Sequence, residues 1–122
     1  MKEKTSTRRN PKRHDIWPVR FPFSDFASTK VRPALVLAVH GQDVIVAGVF
    51  SRIPRGQLRK TWVCIEEGDA SFLRSGLKKT SLLRAEKLAV VDASVLVRKL
   101  GSLSPALAKR VGQALRAALH LD

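Results

Sequence analysis

Apolar residues in this chain fall into short runs broken by polar stretches containing Gly or Pro, a spacing that predicts strands over most of the length. Asp15-Ile16-Trp17-Pro18-Val19-Arg20-Phe21 reads as a first strand. Pro18 has no N–H to offer a ladder, which places that strand at a sheet edge. Pro22 to Lys30 reads as a polar loop carrying Ser24, Asp25, Ser28 and Thr29. Ala34 to Val39 is a second strand, and Val44 to Phe50 a third, apolar enough to be buried on both faces. The turn His40-Gly41-Gln42-Asp43 joins them as a hairpin. Thr61 to Ile65 is a fourth strand, followed by an irregular stretch from Glu66 to Lys79. Thr80 to Ala85 and Leu88 to Val91 form a fifth strand interrupted by Glu86 and Lys87. Val95 to Leu103 is assigned as a sixth strand, with a short helix as the alternative.

The end of the chain changes period. Ser104 suits an N-cap and Pro105 the first helical position. Leu107, Val111, Leu115 and Leu119 recur every four residues, with Lys109, Arg110 and Arg116 off that stripe. An amphipathic helix over about 104–120, packed on a sheet, is expected.

With 122 residues and 44% hydrophobic content, the chain can build one core. No apolar run approaches the roughly 20 residues of a membrane span, so no membrane partner is expected. The polar, basic N-terminus has no apolar segment of a secretory signal, so a cytoplasmic protein is expected. Cys64 is the single cysteine, which excludes an internal disulfide and a multi-Cys metal site.

Charge adds a functional constraint. The net formal charge is +13. Residues 1–13 hold six Lys and Arg against one Glu, and read as a flexible basic arm. Residues 14–122 read as the folded domain, and it too is basic, with fourteen Lys and Arg against eight acids over 14–103. A basic body of this kind points to a polyanionic partner, without separating RNA from DNA or from an acidic protein.

Several residues then stand out as chemistry. Arg32 precedes Pro33, which pushes it into an extended conformation at the mouth of a buried strand. An Arg so held suits a phosphate or carboxylate, the plainer alternative being an ordinary surface Arg. Arg52, Arg55, Arg59 and Lys60 fall in one acid-free loop with Pro54 and Gly56. Arg84 and Glu86 lie two apart, so a regular strand points both to one face, as an acid–guanidinium pair or as an exposed salt bridge. His14, His40 and His120 show no metal-ligand spacing, so no metal is expected, and His14 and His40 remain loose acid–base candidates. Trp17 and Trp62 read as core or dimer contacts rather than base-stacking platforms.

Four blocks, taken in order, resemble the MazF/PemK family of ribonuclease toxins. They are Asp15-Ile16-Trp17 with Phe21-Pro22-Phe23; Lys30-Val31-Arg32-Pro33-Ala34-Leu35-Val36-Leu37; Asp43-Val44-Ile45-Val46-Ala47 up to Ser51; and Ser81-Leu82-Leu83-Arg84-Ala85-Glu86-Lys87-Leu88 with Arg98-Lys99-Leu100-Gly101-Ser102-Leu103-Ser104. The family's usual Gly before Asp15 is His14 here. The resemblance implies a mainly β, SH3-like barrel with a C-terminal helix, usually a homodimer, in a single domain. It implies metal-free cleavage of single-stranded RNA at short sequences and neutralisation by a cognate antitoxin. With no ligand cluster and with Arg32, Arg84 and Glu86 available, cofactor-free cleavage leaving 2′,3′-cyclic phosphate ends is expected. Gyrase-poisoning toxins share the barrel, and a non-catalytic nucleic-acid-binding module is a further alternative, so fold alone does not fix activity.

The resemblance also assigns residues. Arg32 takes the place of the family's functional Arg, a stabiliser of phosphorane charge. The PemK branch carries an Arg-x-Asp pair where this chain has Arg84 and Glu86, which makes Glu86 a candidate general base and Arg84 a second charge stabiliser. Lys30, Arg52, Arg55, Arg59 and Lys60 are the RNA-binding candidates. The family's usual Thr is Phe50 here, with the hydroxyl one residue later on Ser51. Either a bulge lets Ser51 serve catalysis in its stead, or the site lacks that hydroxyl. Phe50 is then either a base-stacking ring or core.

Overall fold

The computed structural model describes residues 10–20 and 30–121. The first nine residues of the basic arm, and Phe21 to Thr29 with the polar loop assigned there, lie outside the described residues. The described chain forms one antiparallel sheet of six strands: β1 (Asp15–Arg20), β2 (Val31–His40), β3 (Asp43–Phe50), β4 (Trp62–Ile65), β5 (Ser81–Asp92) and β6 (Gly101–Ser102). Their spatial order is β4-β5-β3-β2-β1-β6. A one-turn helix, α1 (Phe72–Ser75), precedes β5, and α2 (Pro105–Ala118) ends the chain. The sheet curls into a half-barrel with the C-terminal helix against it, a single mainly β domain as the sequence predicts.

The strands follow from local chemistry. Gly41 takes φ of 62° between the paired residues His40 and Asp43, so a two-residue loop closes the β2–β3 hairpin. A left-handed first loop residue matches the twist of the flanking strands, and glycine adopts it without strain. Pro18 faces Pro33 across β1 and β2, and β6 covers β1 only at Asp15 and Ile16. Proline in β1 is therefore accommodated on an edge left open beyond Ile16.

Side chains alternate between two cores. Ile16, Leu35, Ala47, Val49, Val63 and Leu83 bury one face beneath Leu107, Val111 and Ala114 of α2. Trp17, Val19, Ala34, Val36, Val44 and Val46 bury the other face with Leu96. Burial on both sides is why β2 and β3 read as continuous apolar runs.

The structure departs from the sequence reading in five places, the first being α1, which lies inside the stretch 66–79 read as irregular. The second strand begins at Val31, so Arg32 lies within β2, opposite Val19. The fifth strand is continuous, and the interruption at Glu86 and Lys87 is a bulge: Gly48 pairs with Arg84 and Ala47 with Leu88, leaving 85–87 unmatched on β3. Val95 to Leu103 is mostly neither strand nor α-helix; a 3-10 turn (Ala93–Val95) leads into an extended segment that pairs only at β6. Leu119 lies beyond α2 and is exposed, while Ala114 is buried. A four-residue step turns about 40° past a full turn, so a strict i+4 stripe rotates off the contact face.

Both helix ends are capped. The Ser104 hydroxyl accepts from the Leu107 N–H at 3.3 Å, with Pro105 at the first position. At the other end His120 adopts φ of 58°, and the N–H groups of His120 and Leu121 donate to the carbonyls of Ala117 and Arg116. That is a Schellman closure with His where glycine is usual.

Candidate functional site

Register sets the site. Across four strands, Ala34 pairs with Gly48, Gly48 with Arg84, and Arg84 with Trp62. Alternation places Arg32, two residues before Ala34, and Phe50, two after Gly48, on the same face. This is the face opposite the one on which Val63 and Leu83 pack against α2, with Trp62, on the end strand β4, also reaching a cleft beside the helix.

On that face cations and rings alternate. The Arg32 guanidinium carbon lies 5.3 Å from the Phe50 ring centre, and that of Arg84 lies 5.5 Å from the same ring. Arg84 is also 5.1 Å from the Trp62 ring, and Arg59 stands 5.1 Å from Trp62 on its own account. Three guanidiniums and two rings thus form one series: Arg32, Phe50, Arg84, Trp62, Arg59. Each cation–ring contact contributes about 0.5–1 kcal/mol at an exposed site. The rings also keep like charges apart while leaving them on one surface.

Glu86 anchors the centre of the series. Its Oε2 accepts from Arg84 Nε at 3.1 Å and from Trp62 Nε1 at 2.9 Å. Its Oε1 is buried and has no hydrogen-bond partner of good geometry among the described residues, although Thr61 and the Glu86 backbone also act on this carboxylate. Burial opposes ionisation of this carboxyl, but hydrogen bonding to Trp62, its own backbone, Thr61 and Arg84 outweighs it, so its pKa lies below the ordinary glutamate value. Glu86 is therefore ionised at neutral pH and fixes both a guanidinium and an indole. Arg32 differs in having no carboxylate partner among the described residues.

The remaining sequence candidates are placed as follows. Ser51 is exposed just beyond β3 and lines a cleft of about 210 Å³ with Pro33, Lys78 and Lys79, not the Arg32–Arg84 face. Lys30, Arg52 and Arg55 are exposed around the mouth of the strands. Lys60 shares a second cleft with Trp62 and Arg110, between β4 and α2. Sequence reasoning missed Trp62 as a site residue. Its signal was the alternation in Thr61 to Ile65, which separates Trp62 and Cys64 from the buried Val63 and Ile65. Among the described residues, no three His, Cys, Asp or Glu side chains gather so as to hold a metal ion. No helix among them is long and apolar enough to cross a membrane.

Chemically, the face presents fixed positive charge to a phosphate and aromatic surface to unpaired bases. No curated protein sequence matches the chain. Among solved structures, a mycobacterial endoribonuclease in complex with its cognate antitoxin superposes with a TM-score of 0.70 at 20% identity, covering 93% of this chain and 98% of that one. The Mycobacterium tuberculosis toxin MazF-mt6 gives 0.69 at 22% identity, covering 88% and 98%. MazE–MazF from Deinococcus radiodurans gives 0.65 at 17% identity, covering 92% and 97%. The family described as PemK-like, MazF-like toxin of type II toxin-antitoxin system matches residues 12–119. This chain therefore belongs to the PemK-like, MazF-like toxins of type II toxin-antitoxin systems.

Proposed function

We propose that this toxin is an endoribonuclease that cuts single-stranded RNA at short sequences without a metal. The observation that carries the reading is the pair of guanidiniums, Arg32 and Arg84, on either side of Phe50, with Arg84 fixed by Glu86. Solved relatives described as endoribonucleases support it.

In the proposed reaction the ribose 2′-oxygen attacks the adjacent phosphorus, and the bond from phosphorus to the 5′-oxygen breaks. The 5′-oxygen leaves with a proton drawn from solvent, so the products are a 2′,3′-cyclic phosphate and a 5′-hydroxyl. The proton taken from the 2′-hydroxyl is later returned to solvent. Arg32 and Arg84 neutralise the charge that develops on the non-bridging oxygens. Glu86 is the proposed base, with Oε1 as the oxygen left to take the 2′-proton. That oxygen is covered, so a neighbouring side chain must move for substrate to reach it. Phe50 and Trp62 accept unpaired bases, and Lys30, Arg52, Arg55, Arg59 and Lys60 track the backbone. The placement of Ser51 beside Lys78 and Lys79 supports a part in holding the strand beyond the scissile phosphate. The toxin is proposed to act as a homodimer and to be neutralised by a cognate antitoxin. The second part is supported by a mycobacterial endoribonuclease solved in complex with its cognate antitoxin.

Incubating the purified chain with a mixed single-stranded RNA in excess EDTA tests this. Discrete fragments ending in 2′,3′-cyclic phosphate are expected. Activity lost on chelation and restored by a divalent ion would overturn the metal-free mechanism. A salt-dependent gel shift with intact RNA would replace it with a purely binding role.

A further inference from the structure

β4 is the end strand of the sheet, so the Arg32–Arg84 face is not closed off on that side among the described residues. Trp62 stands at this edge. Its ring centre lies 5.1 Å from the Arg84 guanidinium carbon, and the same residue lines a cleft of about 320 Å³ between β4 and α2. The surface that carries Arg32, Phe50 and Arg84 therefore continues past Trp62 onto the helix. A cleft of this volume is at the lower limit of small-molecule sites, enough for one flat ring system.

The helix lines the cleft with Arg110, Gln113 and Ala117, spaced three and four residues apart and so on one side of α2. Val63 and Ala114, both buried, supply the floor. The two alanines leave space that a longer side chain would fill. Lys60 and Arg110 are exposed at the rim, and no acid among the described residues lines the cleft. A strand of RNA that passes Arg84 and Trp62 arrives here, where cations meet its phosphate and an apolar floor meets its base. Gln113 adds what the Arg32–Arg84 face lacks. Stacking on Phe50 or Trp62 tolerates any base. A glutamine amide instead presents a donor and an acceptor side by side. Of the four bases, adenine alone offers the matching pair on both its Watson–Crick and its Hoogsteen edge, its amino group lying between two ring-nitrogen acceptors.

We propose that this cleft receives one unpaired base beside the cut site and that Gln113 selects adenine there, which makes α2 a determinant of sequence specificity. The proposal rests on single-stranded RNA being the substrate of this chain, and not on which groups perform the cleavage.

The test incubates the full chain with a randomised pool of single-stranded RNA and sequences the fragments over a single-turnover time course. Wild type should favour adenine at one position flanking the cut. Gln113→Ala should lower the rate on those RNAs roughly tenfold and remove that preference. Its preference at the cut itself, and its rate on RNAs lacking the flanking adenine, should stay at the wild-type level. Gln113 is exposed on α2 and alanine is the better helix former, so the variant should fold. Ala117→Leu, which fills the cleft, should remove the same preference. No flanking preference in wild type, or an equal one in wild type and Gln113→Ala, would overturn the proposal. So would a rate loss equal for every sequence, which would make the cleft a backbone contact. If wild type cuts nothing, the pool retained on immobilised chain is sequenced instead. Adenine enrichment that Gln113→Ala loses would then support the cleft assignment and count against cleavage alone. Retention without enrichment, or no retention, would overturn both.

Discussion

Trp62 Nε1 donates a 2.9 Å hydrogen bond to Glu86 Oε2, the same oxygen that holds Arg84 Nε at 3.1 Å. One carboxylate oxygen thus ties an indole on β4 to a guanidinium on β5. The indole ring in turn lies against that guanidinium, so the three side chains restrain one another. Loss of any one loosens the other two.

Trp62→Phe keeps a ring against Arg84 but removes a donor to Glu86. With that hydrogen bond gone, burial counts for more and the Glu86 pKa rises towards or above its ordinary value. Because the carboxyl must be ionised to act, the acid limb of the pH–rate profile should move to higher pH, and activity near neutrality should fall less than activity at low pH. The folded-state pKa is depressed, so the Glu86 contribution to stability is present above the unfolded pKa and disappears as pH falls through the folded one. Trp62→Phe should weaken that dependence. A pH–rate profile and acid unfolding of both proteins measure the two effects.

Arg32→Ala should abolish cleavage while leaving the melting temperature close to wild type. Its contact within the described residues is the Phe50 ring, which contributes about 0.5–1 kcal/mol. A guanidinium that neutralises a transition-state phosphate contributes far more to rate, on the order of 10²–10³-fold. Thermal melting beside single-turnover cleavage separates the two. A large drop in melting temperature would make Arg32 a structural residue.

Phe50 and Ser51 are adjacent, but Phe50 lies against Arg32 and Arg84 while Ser51 lines a separate cleft, so their variants should behave differently. Phe50→Leu removes the ring that both Arg32 and Arg84 approach, and should lower cleavage and cost about 1–2 kcal/mol of stability from two cation–ring contacts. Ser51→Ala should lower the cleavage rate by less than the roughly tenfold that loss of one hydrogen bond to a charged phosphate produces. Its effect should fall on RNA affinity. Single-turnover rates and binding constants, taken at matched folded fraction, decide both.

Two glycines should respond to alanine with opposite signs. A Cβ on Gly101 would run into the backbone of Arg74 and Ser75, where nothing flexible can yield. Gly101→Ala should therefore destabilise by about 1–3 kcal/mol or more. Gly112 lies inside α2 with open space around its missing Cβ. Gly112→Ala should stabilise by about 0.5–1 kcal/mol through helix propensity. Chemical denaturation of the two variants gives both signs.

The sequence by itself determined the pieces whose physics is local. The apolar runs of β2 and β3, the tight turn at Gly41, and the start of α2 at Ser104 and Pro105 each depend on a few neighbouring residues. Arg32, Arg84 and Glu86 stood out as candidates for equally local reasons, the Pro after Arg32 and the i, i+2 spacing of the other two, although Arg32 proved to lie within β2 rather than at its mouth. Tertiary structure decided what depends on register between strands distant in sequence. Only pairing across β2, β3, β5 and β4 brings Arg32, Phe50, Arg84 and Trp62 to one face, and no local pattern encodes that alignment. The bulge at 85–87 is likewise a mismatch between β5 and β3, invisible in either strand alone. The turn of Ser51 into the cleft beside Lys78, and the burial of Ala114 in place of Leu119, follow from how the chain and helix settle on neighbours. Local sequence sets which way a segment prefers to fold, and the summed burial of all segments sets which side chains finally meet.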